Sequence, residues 1–211
     1  MKIKVCGMRE SENIKALVAL KPDFMGFIFY PKSPRFTGEM LDQELLLNFP
    51  AEIKKTGVFV NAETGFILEQ VRKYDFQYVQ LHGHETPEIS RILKDNGVGV
   101  IKAFSVDKAF GFSTLDQYKD TTDYFLFDTK GEGYGGHGVS FDWRILEKYE
   151  LDTPFLLAGG ISPDNIDHLD ILKDKPLAGI DVNSKFEISP GLKNIELLKQ
   201  LFEKIRTPHK G

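Results

Sequence analysis

Eight short apolar runs, separated for the most part by segments of helical periodicity, constrain this chain more than any other feature. The runs are Ile3–Cys6, Phe24–Phe29, Thr56–Val60, Tyr78–Leu81, Gly99–Phe104, Tyr124–Phe127, Phe155–Ala158 and Ala178–Val182. Most are continuously apolar rather than alternating, the pattern of parallel strands covered on both faces. Between them, Glu10–Leu20 places Ile14, Leu17 and Val18 on one helical face, and Ala62–Tyr74 does the same with Phe66, Ile67, Val71 and Tyr74. Pro87–Asp95 opens with Pro and Glu, Ser162-Pro163 supplies a cap and a first-turn proline for a helix running to Leu172, and Ile195–Ile205 is amphipathic. Asp42–Asn48, Lys108–Tyr118 and Trp143–Glu147 are weaker helical segments.

Strand–helix alternation specifies an α/β chain with a parallel sheet. Eight units in 211 residues average about 26 each. Eight also closes a (β/α)8 barrel, and the expectation is a compact single-domain barrel over residues 1–211. The rival is an open doubly wound sheet, which carries a glycine fingerprint after its first strand. Here that position holds Cys6-Gly7-Met8-Arg9, which is no such fingerprint.

Charge and cysteine usage narrow the partners. Lys and Arg total 27 against 31 Asp and Glu, a net charge of −4, which gives no basic surface for nucleic acid. Cys6 is the single cysteine, so no intramolecular disulfide forms and a reducing cytoplasm is expected. The start MKIKVCGMRES lacks the apolar stretch of a signal peptide, and no run approaches the roughly 18 apolar residues of a membrane span. No apolar stripe is left over for an obvious interface, so the expected state is a monomer.

In a barrel of this kind the site is built by the residues just past the C-terminal end of each strand. Cys6-Gly7 succeeds the first strand, Tyr30 to Arg35 the second, and Asn61 ends the third. The fourth ends in His82-Gly83-His84. The sixth ends in Asp128-Thr129-Lys130, before a stretch holding Gly131, Gly133, Gly135, Gly136 and Gly138. The seventh ends in Gly159-Gly160 and the eighth in Asp181-Val182-Asn183-Ser184. The glycine-rich stretch is too irregular for a Walker motif and suits a lid over substrate; its His137 is expected to be solvated.

This series resembles the phosphoribosylanthranilate isomerase family. The matching pieces are Lys4-Val5-Cys6-Gly7, Gly26 through Arg35, Gly57-Val58-Phe59-Val60-Asn61, Val79-Gln80-Leu81-His82-Gly83, Phe127-Asp128-Thr129 with Gly135-Gly136 through Phe141-Asp142-Trp143, Ala158-Gly159-Gly160, and Gly179-Ile180-Asp181-Val182. They run from the first strand to the eighth in the family's order. The resemblance implies a (β/α)8 barrel and an Amadori rearrangement of N-(5-phosphoribosyl)anthranilate to its 1-deoxyribulose 5-phosphate isomer, in tryptophan biosynthesis, without metal or organic cofactor.

That chemistry requires a ring oxygen to be protonated, a C2 proton to be removed, a phosphate to be gripped and a carboxylate to be neutralised. The resemblance makes Asp128 the general acid, in an apolar setting expected to keep it protonated. It makes Cys6 the general base, a thiol whose reference pKa of about 8.5 has to be lowered. Lys4, two residues earlier on the same strand face, is expected a layer below and is not assigned that role. Arg35 becomes the anthranilate clamp, since a guanidinium grips a carboxylate with two hydrogen bonds. Gly159, Gly160, Asn183 and Ser184 form the phosphate site, the last two at the start of a short extra helix. Asp181 contacts either a sugar hydroxyl or the scaffold, His82 is a polar lining residue, and Tyr30 is a candidate wall of the anthranilate pocket.

Taken by themselves, Asp128 also fits a loop cap, Cys6 a small buried core residue and Arg35 a solvated loop residue. His82 and His84 share a strand face, but their nearest carboxylate, Glu85, reads as a cap for the following helix rather than a metal ligand. The chain departs from the family after the eighth strand, where Asn183-Ser184-Lys185-Phe186-Glu187 replaces Ser-Ser-Gly-Val-Glu. Lys185 puts the local backbone geometry in question and offers either a phosphate cation or a solvated side chain. Two other classes fit the same loops. One is another phosphosugar barrel enzyme, an epimerase or synthase using a strand lysine such as Lys102 or Lys4, or a metal. The other is a binder of a phosphoribosyl ligand without turnover.

Overall fold

The computed structural model describes residues 1–38, 40–129 and 143–207. Its barrel strands are β1 (Lys2–Val5), β2 (Phe24–Ile28), β3 (Lys54–Phe59), β4 (Tyr78–Leu81), β5 (Gly99–Val106), β6 (Tyr124–Thr129), β7 (Phe155–Ala158) and β8 (Leu177–Val182). They pair in parallel in chain order, and β1 pairs with β8 to close the barrel, with Lys2 opposite Gly179 and Lys4 opposite Asp181. All eight expected strands are present, with ends that differ by up to two residues.

Strand periodicity sorts each strand between two cores. On β1, Ile3 and Val5 point outward into the large layer between barrel and helices, with Phe27, Phe59, Val79, Phe127 and Leu157. The barrel interior holds a smaller cluster, Ile101, Ala103, Leu126, Leu156 and Ala158. Phe24 packs edge-on against Tyr78 and Tyr124, at ring centroid separations of 5.2 and 5.8 Å. These rings fill the end of the barrel at which the strands begin, remote from the loops at their C-terminal ends.

Helices α1 (Ser11–Val18), α2 (Gln43–Leu47), α3 (Thr64–Tyr74), α4 (Pro87–Asp95) and α5 (Ile195–Arg206) cover the outside. Asp42 caps α2 by accepting from the Leu45 N–H, and Asn194 caps α5 by accepting from Leu197. Among the described residues, no helix is long and apolar enough to cross a membrane.

Three expected helices are instead 3₁₀ segments: Phe112–Leu115, Trp143–Lys148 and Ile166–Leu172. The last is instructive. Ser162-Pro163 does not start an α-helix, because Asn165 takes up the local polar groups, donating to Gly160 O at 2.8 Å and accepting from Ser162 N at 2.9 Å. The next buried residues, Ile166, Leu169 and Leu172, fall every third position, which matches three residues per turn. After β8 the expected extra helix is one 3₁₀ turn, Ser184–Phe186. It leads into a hairpin that sequence reasoning missed, β9 (Glu187–Ser189) against β10 (Leu192–Lys193).

Candidate active site

The C-terminal ends of the strands surround a cavity of about 200 Å³. Eight of the nine site residues expected from sequence line it: Cys6, His82, Asp128, Gly159, Gly160, Asp181, Asn183 and Ser184. Arg35 lies beside it rather than in its wall. The glycine-rich stretch 131–138, with His137, lies outside the described residues. A second cavity of about 430 Å³ opens on the outside of the barrel among Phe29, Phe36, Leu41, Phe66 and Tyr74.

Cys6 stands immediately beyond β1, only 4% exposed, with its N–H donating to Val182 O at 3.0 Å. Burial pushes its thiol up from the ordinary value, Lys4 pulls it down, Asp181 pushes it up and Lys193 pulls more weakly; the net direction is upward, opposite to the lowering expected from sequence, because burial outweighs the cations. Sequence reasoning gave Lys4 no role here, yet the structure makes it the nearest compensating cation. Its Nζ is wholly buried and lies 3.0 Å from Oδ1 of Asp181. Burial alone would lower the Lys4 ammonium; Asp181 and Cys6 together reverse this, while burial pushes the Asp181 carboxyl up against the pull of Lys4.

Asp128 lies on β6 one position before its end, opposite Ser105 on β5 and Ala158 on β7. Its Oδ2 is 3.6 Å from Nε2 of His82. The expected apolar enclosure is not what surrounds it, since the side chain is 36% exposed and shares the mouth with His82. On the other side of the imidazole, Gln80 Nε2 lies 2.8 Å from His82 Nδ1. This contact orients the ring so that Nε2 faces Asp128. Gln80 is a site residue that sequence reasoning missed; the available signal was a polar side chain at an inward position of an otherwise apolar strand.

The histidines do not form a metal site with Glu85. His84 is held through its N–H to Asn61 Oδ1, and among the described residues no group of three or more His, Cys, Asp or Glu is placed to hold an ion. Glu85 does not cap α4 either. It is buried and accepts from Asn61 N at 2.8 Å, Gly83 N at 2.9 Å and Lys102 Nζ at 3.1 Å. Lys102 therefore points away from the cavity, into the layer behind β4.

Arg35 is held by Glu187. Its Nε donates to both carboxylate oxygens at 2.8 and 3.0 Å, and Nη2 donates to Oε2 at 2.5 Å. Burial opposes ionisation of Glu187, but donors from Arg35 and Lys193 override it and hold the carboxyl down at about 2. Lys193, fully buried, also donates to Asn183 Oδ1 at 2.7 Å. Gly7 sits against this group: with φ of +80°, a Cβ there would lie 2.8 Å from Arg35 Cδ and 2.9 Å from Asn183 Oδ1. Neither Glu187 nor Lys193 was singled out from sequence, because both enter through the unexpected hairpin.

Gly159 and Gly160 both have positive φ, +81° and +67°. Lys185, which replaces the family glycine, lies in the 3₁₀ turn and is not among the positive-φ residues, so a side chain is accommodated there without backbone strain. It is exposed and borders the cavity beside Ser184.

A closed (β/α)8 barrel whose mouth sets a thiol and a carboxyl beside a paired-glycine loop defines a class of enzymes that move protons on phosphorylated sugars. The profile of the family described as N-(5'-phosphoribosyl)anthranilate (PRA) isomerase matches residues 3–204. The chain is 46% identical to N-(5'-phosphoribosyl)anthranilate isomerase of Parabacteroides distasonis, over 99% of this chain and 95% of that one. Phosphoribosyl anthranilate isomerase from Thermotoga maritima superposes with a TM-score of 0.82 at 31% identity, covering 96% of this chain and 97% of that one. A phosphoribosyl anthranilate isomerase in complex with reduced 1-(o-carboxyphenylamino)-1-deoxyribulose 5-phosphate gives the same TM-score and coverage at 28% identity. The chain belongs to the N-(5'-phosphoribosyl)anthranilate isomerase family.

Proposed function

We propose that Cys6 and Asp128 are the base and the acid with which this aldose–ketose isomerase rearranges N-(5'-phosphoribosyl)anthranilate. The placement of both groups on the wall of one cavity, beside the Gly159-Gly160 loop, carries the reading. Asp128 protonates the furanose ring oxygen, the C1–O bond breaks, and the anilino nitrogen lone pair forms the iminium. Cys6, as thiolate, takes the C2 proton, giving an enolamine. Return of a proton to C1 and loss of the C2 hydroxyl proton yield the ketone, with no net gain or loss of atoms. His82 positions Asp128 through Nε2 and is itself oriented by Gln80.

Binding is assigned to groups on the wall and edge of the cavity. Side-on pairing with Glu187 uses Nε and one edge of Nη2, so Arg35 offers its Nη1/Nη2 end to the anthranilate carboxylate. Gly159, Gly160, Asn183 and Ser184 receive the phosphate, Lys185 adds a cation at the rim, and Asp181 meets a sugar hydroxyl. The same proposal includes catalysis without metal or organic cofactor, one folding domain over the whole chain, and a monomer of 23.9 kDa. Twice that mass by light scattering would replace the monomer with a dimer. A thiol base requires a reducing compartment, which supports a cytoplasmic location testable by fractionation.

The test is steady-state turnover of freshly made phosphoribosylanthranilate in chelator-containing buffer, followed by anthranilate fluorescence. Turnover that survives the chelator supports substrate, reaction and metal independence together. Folded protein without turnover contradicts the reading, and turnover abolished by the chelator contradicts metal independence.

A further inference from the structure

The hairpin β9–β10 has no place in the acid–base chemistry, yet it delivers a fully buried ammonium to the edge of the site. Lys193 Nζ donates to Asn183 Oδ1 at 2.7 Å and to Glu187 Oε1 at 2.5 Å. Asn183 belongs to the proposed phosphate loop, and Glu187 holds Arg35, the proposed carboxylate clamp. The lysine backbone is itself fixed: its N–H donates to Asn13 Oδ1 at 2.8 Å, and its carbonyl accepts from Asn13 Nδ2 at 2.9 Å. One ammonium therefore stands between the two ends of the site, anchored to α1 from behind.

We propose that Lys193 is a positioning residue that sets the phosphate loop and the anthranilate clamp relative to one another, so that both ends of the substrate are held through one buried cation. The inference rests on the isomerase reading. Its logic is geometric. An ammonium has three donors, and Asn183 and Glu187 use two of them. Glu187 accepts from Lys193 and Arg35 at once, so loss of the lysine frees both Asn183 and the carboxylate that aims Arg35. Burial in this position lowers the lysine against the pull of Glu187, and Asn183 adds a neutral acceptor.

Lys193 also contributes positive charge behind Cys6. The charged groups around that thiol are Lys4 on its own strand, Asp181 on β8, Arg35 on the β2–α2 loop and Lys193 on β10; His82 and Asp128 line the same cavity. Removing the Lys193 charge raises the thiol, so the limb on which activity rises with pH moves to higher pH. That shift reports the charge of Lys193, and the paired change in binding of the two substrate halves reports its positioning.

The experiment uses the two halves of the substrate, anthranilate and ribose 5-phosphate, each as an inhibitor of turnover. In Lys193→Met, both inhibition constants are expected to rise at least fivefold, KM to rise more than kcat falls, and the rising pH limb to move up. Arg35→Gln is expected to weaken anthranilate alone, and Asn183→Ala to weaken ribose 5-phosphate alone. If Lys193→Met leaves either constant within twofold of wild type, the coupling role is refuted. Should Lys193→Met lack a cooperative melt, Lys193→Gln, which keeps a donor and loses the charge, carries the same expectations and the same refuting result. Wild-type enzyme that neither turns over nor binds either fragment would refute the isomerase reading instead, which separates the two failures.

Discussion

Lys4 and Asp181 form an ion pair at 3.0 Å inside the barrel, with the ammonium wholly buried and the carboxylate nearly so. The two residues are register partners on β1 and β8, the seam at which the barrel closes. Two charges are desolvated there, and each is tolerable because the other is present. Lys4→Met removes the partner and leaves a buried carboxylate, at an expected cost of about 3–5 kcal/mol. Lys4→Met combined with Asp181→Leu should recover most of that loss. Urea unfolding measures both; a single variant within about 1 kcal/mol of wild type, the scale of an exposed pair, would show that the pair does not hold the seam.

Gly26 on β2 is the floor against which the Cys6 thiol rests. A Cβ there would lie 2.8 Å from Cys6 Sγ, closer than real contacts allow, and 3.2 Å from Cys6 Cα, tighter than most. Gly26→Ala should therefore displace the thiol, lower kcat tenfold or more, and cost about 1–3 kcal/mol of stability through overpacking. Kinetics and a thermal melt on the same sample check this. Unchanged kcat would mean that the thiol position is not critical.

Glu187 gives the account a pH signature. Its carboxyl is held at about 2 against an ordinary 4.5 by Arg35 and Lys193, despite burial. A depressed carboxyl contributes stability that is fully present above about pH 4.5 and is lost as pH falls towards 2. Glu187→Gln should lose about 1–3 kcal/mol near neutrality, the scale of hydrogen bonds to charged groups. The gap from wild type should shrink below about pH 4 and vanish only as pH falls through about 2. Because Arg35 is released, KM should rise more than kcat falls. A stability difference that is constant from pH 7 to pH 2 would contradict this.

Much of this was legible in the sequence because it is encoded locally. Continuous apolar runs such as Phe155–Ala158, too short for helices, fit strands covered on both faces, and eight of them in series suit a closed barrel. Residues at or just past a strand end share the position of that end, which is why Cys6, Asp128 and Gly159 are brought together by the sequence pattern alone. The features that escaped depend on pairings that local pattern does not carry. Glu187 and Lys193 are 152 and 10 residues from the partners that give them meaning, Arg35 and Asn183. Glu85 looks like a helix cap by position but is drawn inward by Lys102 and two backbone N–H groups. The segment after Ser162-Pro163 carries good α-helical signals, yet a single asparagine, Asn165, diverts the first turn.

In the proposed reaction one thiol and one carboxyl divide the proton transfers between them. The most direct measurement is kcat and KM for Cys6→Ser and for Asp128→Asn, with circular dichroism confirming that each variant is folded. Each should lower kcat by about 10²–10⁴-fold, the range of general acid–base catalysis, with KM within a few-fold of wild type. Each should also remove one limb of a bell-shaped pH profile, the rising limb for Cys6 and the falling limb for Asp128. Near wild-type kcat in either folded variant would contradict the assignment of that residue and require another group at the mouth to carry its proton.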